Sequence, residues 1–245
     1  MKKVLLCALV MAAGTAFAQK SNLNKANAAL TAFNANPKEL KYEKLDEAWG
    51  LIQLAMEHPQ TSVMADTWNT AARIQVFHMN TMLNDRSVTG ELDTKKFFEN
   101  QKQIVELYSK CDELEHTPNN KGKLPKEVYR PLNQQVAKGA RANLRNAGGM
   151  LAVSDPDLSI MYINYYNESA KNSIFTGLTD IADPDSVVGD INYYLATAYK
   201  TKGDEENAIV ALEKSLTSKQ YGKFACGELV MLCDKLGKTE MKDKY

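Results

Sequence analysis

The step at which apolar residues recur limits this chain more than any other feature. Between 97 and 114, Phe97, Ile104, Leu107, Tyr108, Cys111 and Leu114 follow one another at steps of three, four and seven. Those steps mark one face of a helix. Val187, Ile191, Tyr194, Leu195, Ala198 and Tyr199 keep the same rhythm. No run alternates with period two, and no turn dipeptide sits between β-rich runs, so nothing supplies a strand pair. The expectation is an all-α chain.

Breaks in the rhythm place the helices. They fall at Asn36-Pro37, His58-Pro59, 84–91 (NDRSVTGE), 116–124 (HTPNNKGKL), Ser154-Asp155-Pro156, Asp183-Pro184 and Lys202-Gly203-Asp204. Ser154 or Asp155 before Pro156 reads as an N-cap with proline at the first helical position, and Asp183-Pro184 reads the same way. Neither Asp-Pro-Asp has the spacing or closing glutamate of a calcium loop. Helices are expected near 22–35, 38–57, 61–83, 92–115, 125–153, 156–175, 186–201, 204–217 and 220–236, with a short one from 238. Most connections are short, which makes consecutive helices antiparallel neighbours.

The first residues read MKKVLLCALVMAAGTAFAQ. Two lysines, an apolar run too short for a bilayer, and Ala16-Phe17-Ala18 predict a signal peptide over 1–18, cut after Ala18. Cys7 lies inside the run without small residues before it, so it does not read as a lipid-attachment site. The expectation is export to the periplasm or beyond, with no transmembrane segment. Loss of Lys2 and Lys3 would leave 28 basic against 30 acidic residues. That balance gives no electrostatic reason to expect nucleic acid or an anionic membrane. Cys111, Cys226 and Cys233 would remain, an odd number that cannot pair fully within one chain. Cys226 and Cys233 are too far apart on one helix to bridge, so all three read as small buried hydrophobes.

Gly203 and Gly237 each end an apolar helix and stand 34 residues apart. With the same shift, Leu195 maps to Leu229, Ala196 to Val230 and Tyr199 to Cys233, which is the signature of a repeat. With Gly189 as position one, Leu195 is at seven, Ala196 at eight, Tyr199 at eleven, Gly203 at fifteen, Ala208 at twenty and Leu212 at twenty-four. Ser215 takes the place where alanine is commonest, and Asn192 replaces the large residue of position four. The stretch 189–222 resembles a tetratricopeptide repeat, with a partial repeat over 223–245. Ala48, Ile52 and Ala55 resemble the second helix of such a unit, and Trp68, Ala71 and Ala72 resemble positions four, seven and eight of the next. The phrase AMEHPQTSVMADTWNTAARI in an exported chain resembles divergent tetratricopeptide proteins of the Bacteroidetes envelope. The resemblance implies a right-handed superhelical solenoid of antiparallel helix pairs over 19–245, in which stacked hairpins bury a shared core and expose a concave face. The polar ending KTEMKDKY suits a terminal cap.

A search for catalytic spacing finds no phosphate loop, no H-E-x-x-H and no G-x-S-x-G. His58 and His116 read as helix-end residues and His78 as a surface or groove residue. Glu205-Glu206 complement a helix N-terminus. No cofactor or metal is expected. Tyr162, Tyr165, Tyr166, Tyr193 and Tyr194 are spaced so that some must leave the core. They either pack between hairpins with hydroxyls toward solvent or line a groove.

The resemblance implies that the inner face comes mainly from first-helix positions two, five, nine, twelve and thirteen. These are Asp190, Tyr193, Thr197, Lys200 and Thr201, and one repeat later Phe224, Gly227, Met231, Asp234 and Lys235. The set lacks the Lys/Asn constellation with which some relatives clamp a terminal carboxylate. The functional expectation is a non-catalytic scaffold that binds a protein or peptide on its concave face. Two alternatives stay open: an assembly subunit of an envelope complex, and a small-ligand binder or enzyme with a site among the helices of 92–175. The sequence leaves the oligomeric state open.

Overall fold

A computed structural model describes residues 20–35, 43–118, 122–124 and 128–245. The expected signal peptide, the Asn36-Pro37 break and parts of the 116–124 loop lie outside the described residues. Among the described residues every regular element is helical, and neighbouring helices pack in succession. They are α1 (20–35), α2 (Glu43–Glu57), α3 (Ala65–Thr89), α4 (Thr94–Glu115), α5 (Arg130–Leu151), α6 (Pro156–Ser169), α7 (Asp185–Lys202), α8 (Glu205–Ser215), α9 (Gly222–Lys235) and α10 (Thr239–Lys242). A 3-10 turn, Ser173–Phe175, lies between α6 and α7. None of these helices is long and apolar enough to cross a membrane. The chain forms two compact units, Met1–Ala137 and Lys138–Tyr245.

In the first unit the periodic residues do what their spacing predicts. Leu45, Ala48, Ile52 and Ala55 are the buried face of α2. Phe97, Ile104, Leu107, Tyr108 and Cys111 are buried on α4. Helix α1 meets α3 through Thr70, whose hydroxyl donates to Asn27 Oδ1, and through an edge-on contact of Phe33 with Phe77. Helix α3 meets α5 through Asn133, which donates to Asn69 Oδ1 at 3.0 Å. Arg130 holds the fully buried Asp112 carboxylate with both Nε and Nη2, the forked geometry that offsets burial of a charge.

The expected loop at 84–91 is instead the end of α3. The residues from Glu43 to Gly90 show why periodicity missed it: positions 83–90 are all exposed, so no apolar face marks them as helix. Ser87 and Thr89 return hydroxyl bonds to the carbonyls of Asn84 and Asp85. Gly90, at φ 77°, closes the helix by donating its N–H to Arg86 O, the left-handed stop that glycine takes without steric cost.

In the second unit Asp155 caps α6 as expected, accepting from Leu158 N with Pro156 just inside the helix. The parallel expectation for Asp183 does not hold. Pro184 is the cap residue of α7 and makes no side-chain capping bond. The Asp183 carboxylate is engaged elsewhere, accepting from the Tyr166 hydroxyl with Arg145 at 3.7 Å. Burial, and then this bond, push the Tyr166 hydroxyl up to about 12.

The 34-residue shift is written into the backbone hydrogen bonds. Gly203 N–H donates to Lys200 O and Gly237 N–H to Asp234 O. Asp204 N–H donates to Tyr199 O and Lys238 N–H to Cys233 O. Ala208 N–H donates to Asp204 O and Lys242 N–H to Lys238 O. Gly203 and Gly237 have φ of 76° and 67°, so each ends one helix while the next residue opens another. Ala196 of α7 and Ala208 and Leu212 of α8 are fully buried, and the two helices pack against each other. Ser215 is buried with its hydroxyl donating to Leu212 O, so the polar atom at the alanine-like position is satisfied.

Candidate functional site

The residues implied as an inner face lie on α7 and α9, and α9 supplies the link between them. Glu228 accepts from the Tyr193 hydroxyl at 3.1 Å and from Lys200 Nζ. Tyr193 and Lys200 are seven apart, so they stand on one face of α7. The pair is about three-quarters screened from water, where a charge-assisted bond is stronger than at an open surface. The Tyr193 ring stacks on Tyr221 at 4.5 Å with the planes 3° apart. Tyr194 meets Tyr221 edge-on at 5.7 Å. Such pairs contribute about 0.5–1.5 kcal/mol beyond their buried area. Burial, then the Glu228 charge and hydrogen bond, raise the Tyr193 hydroxyl above its usual range. It therefore stays protonated as a donor.

The other predicted residues separate by role. Thr197 and Thr201 return their hydroxyls to the carbonyls of Tyr193 and Thr197 on their own helix. Asp190 accepts from Ser218 and ties the α8–α9 connection to α7. Asp234 pairs with Lys242 of α10, and Lys235 pairs with Glu205 of α8. Phe224 and Met231 are 65% and 66% exposed. They stand seven residues apart with Gly227 between them, and a Cβ at 227 would meet nothing within 4 Å. This leaves an open apolar stripe on α9 beside the braced Tyr193–Glu228–Lys200 cluster. The key residues that sequence reasoning missed are Glu228 and Tyr221. No periodic signal identifies them, because each acts through a partner on α7.

The tyrosines divide in the same way. Tyr162 and Tyr166 are buried. The Arg141 guanidinium lies 3.8 Å from the Tyr166 ring centre, and its Nε donates to Tyr166 O. Tyr193 and Tyr194 are half-buried. His116 sits at the end of α4, and His58 follows the end of α2, as expected. His78 lies in an open groove between α2, α3 and α4, with Nε2 3.8 Å from Asp46. Burial lowers its pKa, with Asp46 opposing. The three cysteines are free, and burial pushes the Cys111 thiol up to about 12. Among the described residues no cluster of histidine, cysteine and carboxylate side chains has the makings of a metal site.

The first unit carries a second open groove of about 410 Å³ between α3, α4 and the start of α5. Its exposed walls are mostly apolar, with Asn69, Arg73, Tyr108, Tyr129 and Asn133 as the polar residues of the lining.

No protein-family model matches the sequence. A search of curated proteins likewise finds no match.

Proposed function

We propose that the chain is a tetratricopeptide-like scaffold of the cell envelope that binds a protein or peptide without catalysis, using the α7–α9 face. In this reading α1/α2, α3/α4, α5/α6, α7/α8 and α9/α10 are successive hairpins of a right-handed superhelical solenoid. Several contacts support it. Within the first unit α1 touches α3, and α3 touches α5. Within the second, Gly149 of α5 faces the Tyr194 ring of α7, and α7 is joined to α9. First helices that touch every other element are what stacked hairpins require. The matched hydrogen bonds around Gly203 and Gly237 add a unit length of 34 residues. Export rests on the expected leader alone.

The observation that carries the functional step is the α9 stripe. Phe224 and Met231 are large, apolar and exposed, beside a cluster whose charges are already paired. Exposed apolar groups rimmed by satisfied polar ones suit a partner's side chains. The test is a paired capture from envelope extract. One bait is the wild-type chain, and the other carries Phe224→Ser and Met231→Ser. Neither residue supports the core, so both baits should show the same helical circular dichroism and the same melting temperature. A protein retained by the first and lost from the second supports the reading. Equal retention by both places recognition elsewhere.

A further inference from the structure

The groove between α3, α4 and α5 combines an apolar body with a cation that, unlike Lys200 and Lys235 on the α7–α9 face, has no paired carboxylate among the described residues. Its body is apolar, built from Val76, Phe77, Leu132 and Val136. It holds one cation among its lining residues, Arg73. Neither the Arg73 guanidinium nor the Tyr108 hydroxyl forms a hydrogen bond or ion pair with any described residue. Arg130, by contrast, is matched to the Asp112 carboxylate. A half-buried arginine left without an acceptor beside an apolar wall is a ready site for an anion.

The lining also narrows the kind of anion. Tyr108 is 3% exposed, and burial pushes its hydroxyl up to about 12 against an opposing pull from Arg73. It therefore remains a neutral donor beside the guanidinium at any physiological pH. One fork and one hydroxyl match a single planar oxyanion. A phosphate dianion would find no second cation. At the other end, Tyr129 donates to Asp66 at 3.1 Å, and Asp66 lies two helical turns before Arg73 on α3. That carboxylate disfavours further negative charge and fixes a polarity along the groove. A volume of about 410 Å³, mostly apolar with a few convergent polar groups, is the usual make-up of a small-molecule site.

We propose that this groove binds a monocarboxylate with an aliphatic body, its carboxylate on Arg73 and Tyr108 and its chain along Val76, Phe77, Leu132 and Val136. The site is separate from the α7–α9 face and does not depend on the reading given for it. Decanoate is the probe, titrated calorimetrically into the full chain. Decylamine supplies the same body with opposite charge. A short peptide ending in a free leucine supplies the same carboxylate from a protein terminus.

Arg73→Gln removes the charge and breaks no bond with a described residue, so it should melt as the wild type does. Leu132→Asp places a carboxylate on the wall at a position that is 74% exposed, again without cost to the core. The expected result is saturable 1:1 decanoate binding. Arg73→Gln should weaken it tenfold or more, Leu132→Asp should weaken it strongly, and decylamine should bind at least tenfold more weakly. Absence of saturable decanoate binding overturns the proposal. So does equal binding of decylamine, or an Arg73→Gln variant that binds like the wild type. Peptide binding in place of decanoate overturns it in favour of a protein terminus.

Discussion

Gly189 makes the sharpest stability prediction. It lies inside α7, buried, with the α8–α9 connection pressed against it. A Cβ at 189 would stand 2.3 Å from Ser218 N, 2.8 Å from Ser218 Cα and 2.8 Å from Thr217 Oγ1. Two of those atoms are backbone, and the connection cannot easily retreat. Thr217 donates to Asp185 O, and Ser218 donates to Asp190 and accepts from Gln220 N and Tyr221 N. Overpacking of this kind costs about 1–3 kcal/mol, and fixed backbone puts it toward the upper end. Replacing glycine by alanine inside a helix returns about 1 kcal/mol. Gly189→Ala should therefore lose about 2 kcal/mol. Gly227 is the internal control. It is also helical, but nothing stands within 4 Å of its would-be Cβ, so Gly227→Ala should gain about 1 kcal/mol. Thermal and urea unfolding of both variants, followed by circular dichroism, should separate their melting temperatures by roughly 6–12 °C. A Gly189→Ala variant as stable as Gly227→Ala would refute the close crossing of α7 with the α8–α9 connection.

Three further outcomes follow from the packing and the titrating groups. Leu212 of α8 is fully buried, so Leu212→Ala should lose about 2–5 kcal/mol in urea unfolding. Tyr108 and Tyr166 are raised to about 12 by burial, so the folded chain holds these protons more tightly than the unfolded chain does. Their contribution is full below the unfolded value of about 10 and is lost as pH rises toward about 12. The urea midpoint should fall across that window, and Tyr108→Phe should make the fall shallower. Cys226 is half-buried while Cys111 and Cys233 are buried, so iodoacetamide should label Cys226 first and the other two only on unfolding.

Helix positions were legible wherever one face is apolar. Five of the six residues named by spacing on α4 are buried, as are Ile191, Leu195 and Ala198 on α7, while Leu114, Val187, Tyr194 and Tyr199 are only half-buried. Gly203 and Gly237 were legible because a left-handed stop has few substitutes for glycine. The polar end of α3 was not, since periodicity reports burial and this stretch has none. Asp183 misled for a related reason. A capping sequence states what a carboxylate can do locally, and Tyr166, 17 residues away, took it instead. The same limit applies to the α7–α9 face. Tyr193 and Lys200 could be placed on one side of a helix from spacing, but Glu228 and Tyr221 become visible only when α9 is laid beside it. The groove around Arg73 escaped entirely, because it is made by three helices whose contributions are unremarkable one at a time.

The central claim is that a partner meets the face carrying Met231 and Phe224. Site-specific photo-crosslinking in intact cells tests it most directly, with a photoreactive residue at Met231 in one strain and at Val210 in another. Both positions are exposed, Met231 on α9 and Val210 on α8. The account predicts a discrete crosslinked protein from 231 that is missing from 210. Equal crosslinking from both positions, or crosslinking from 210 alone, would contradict it.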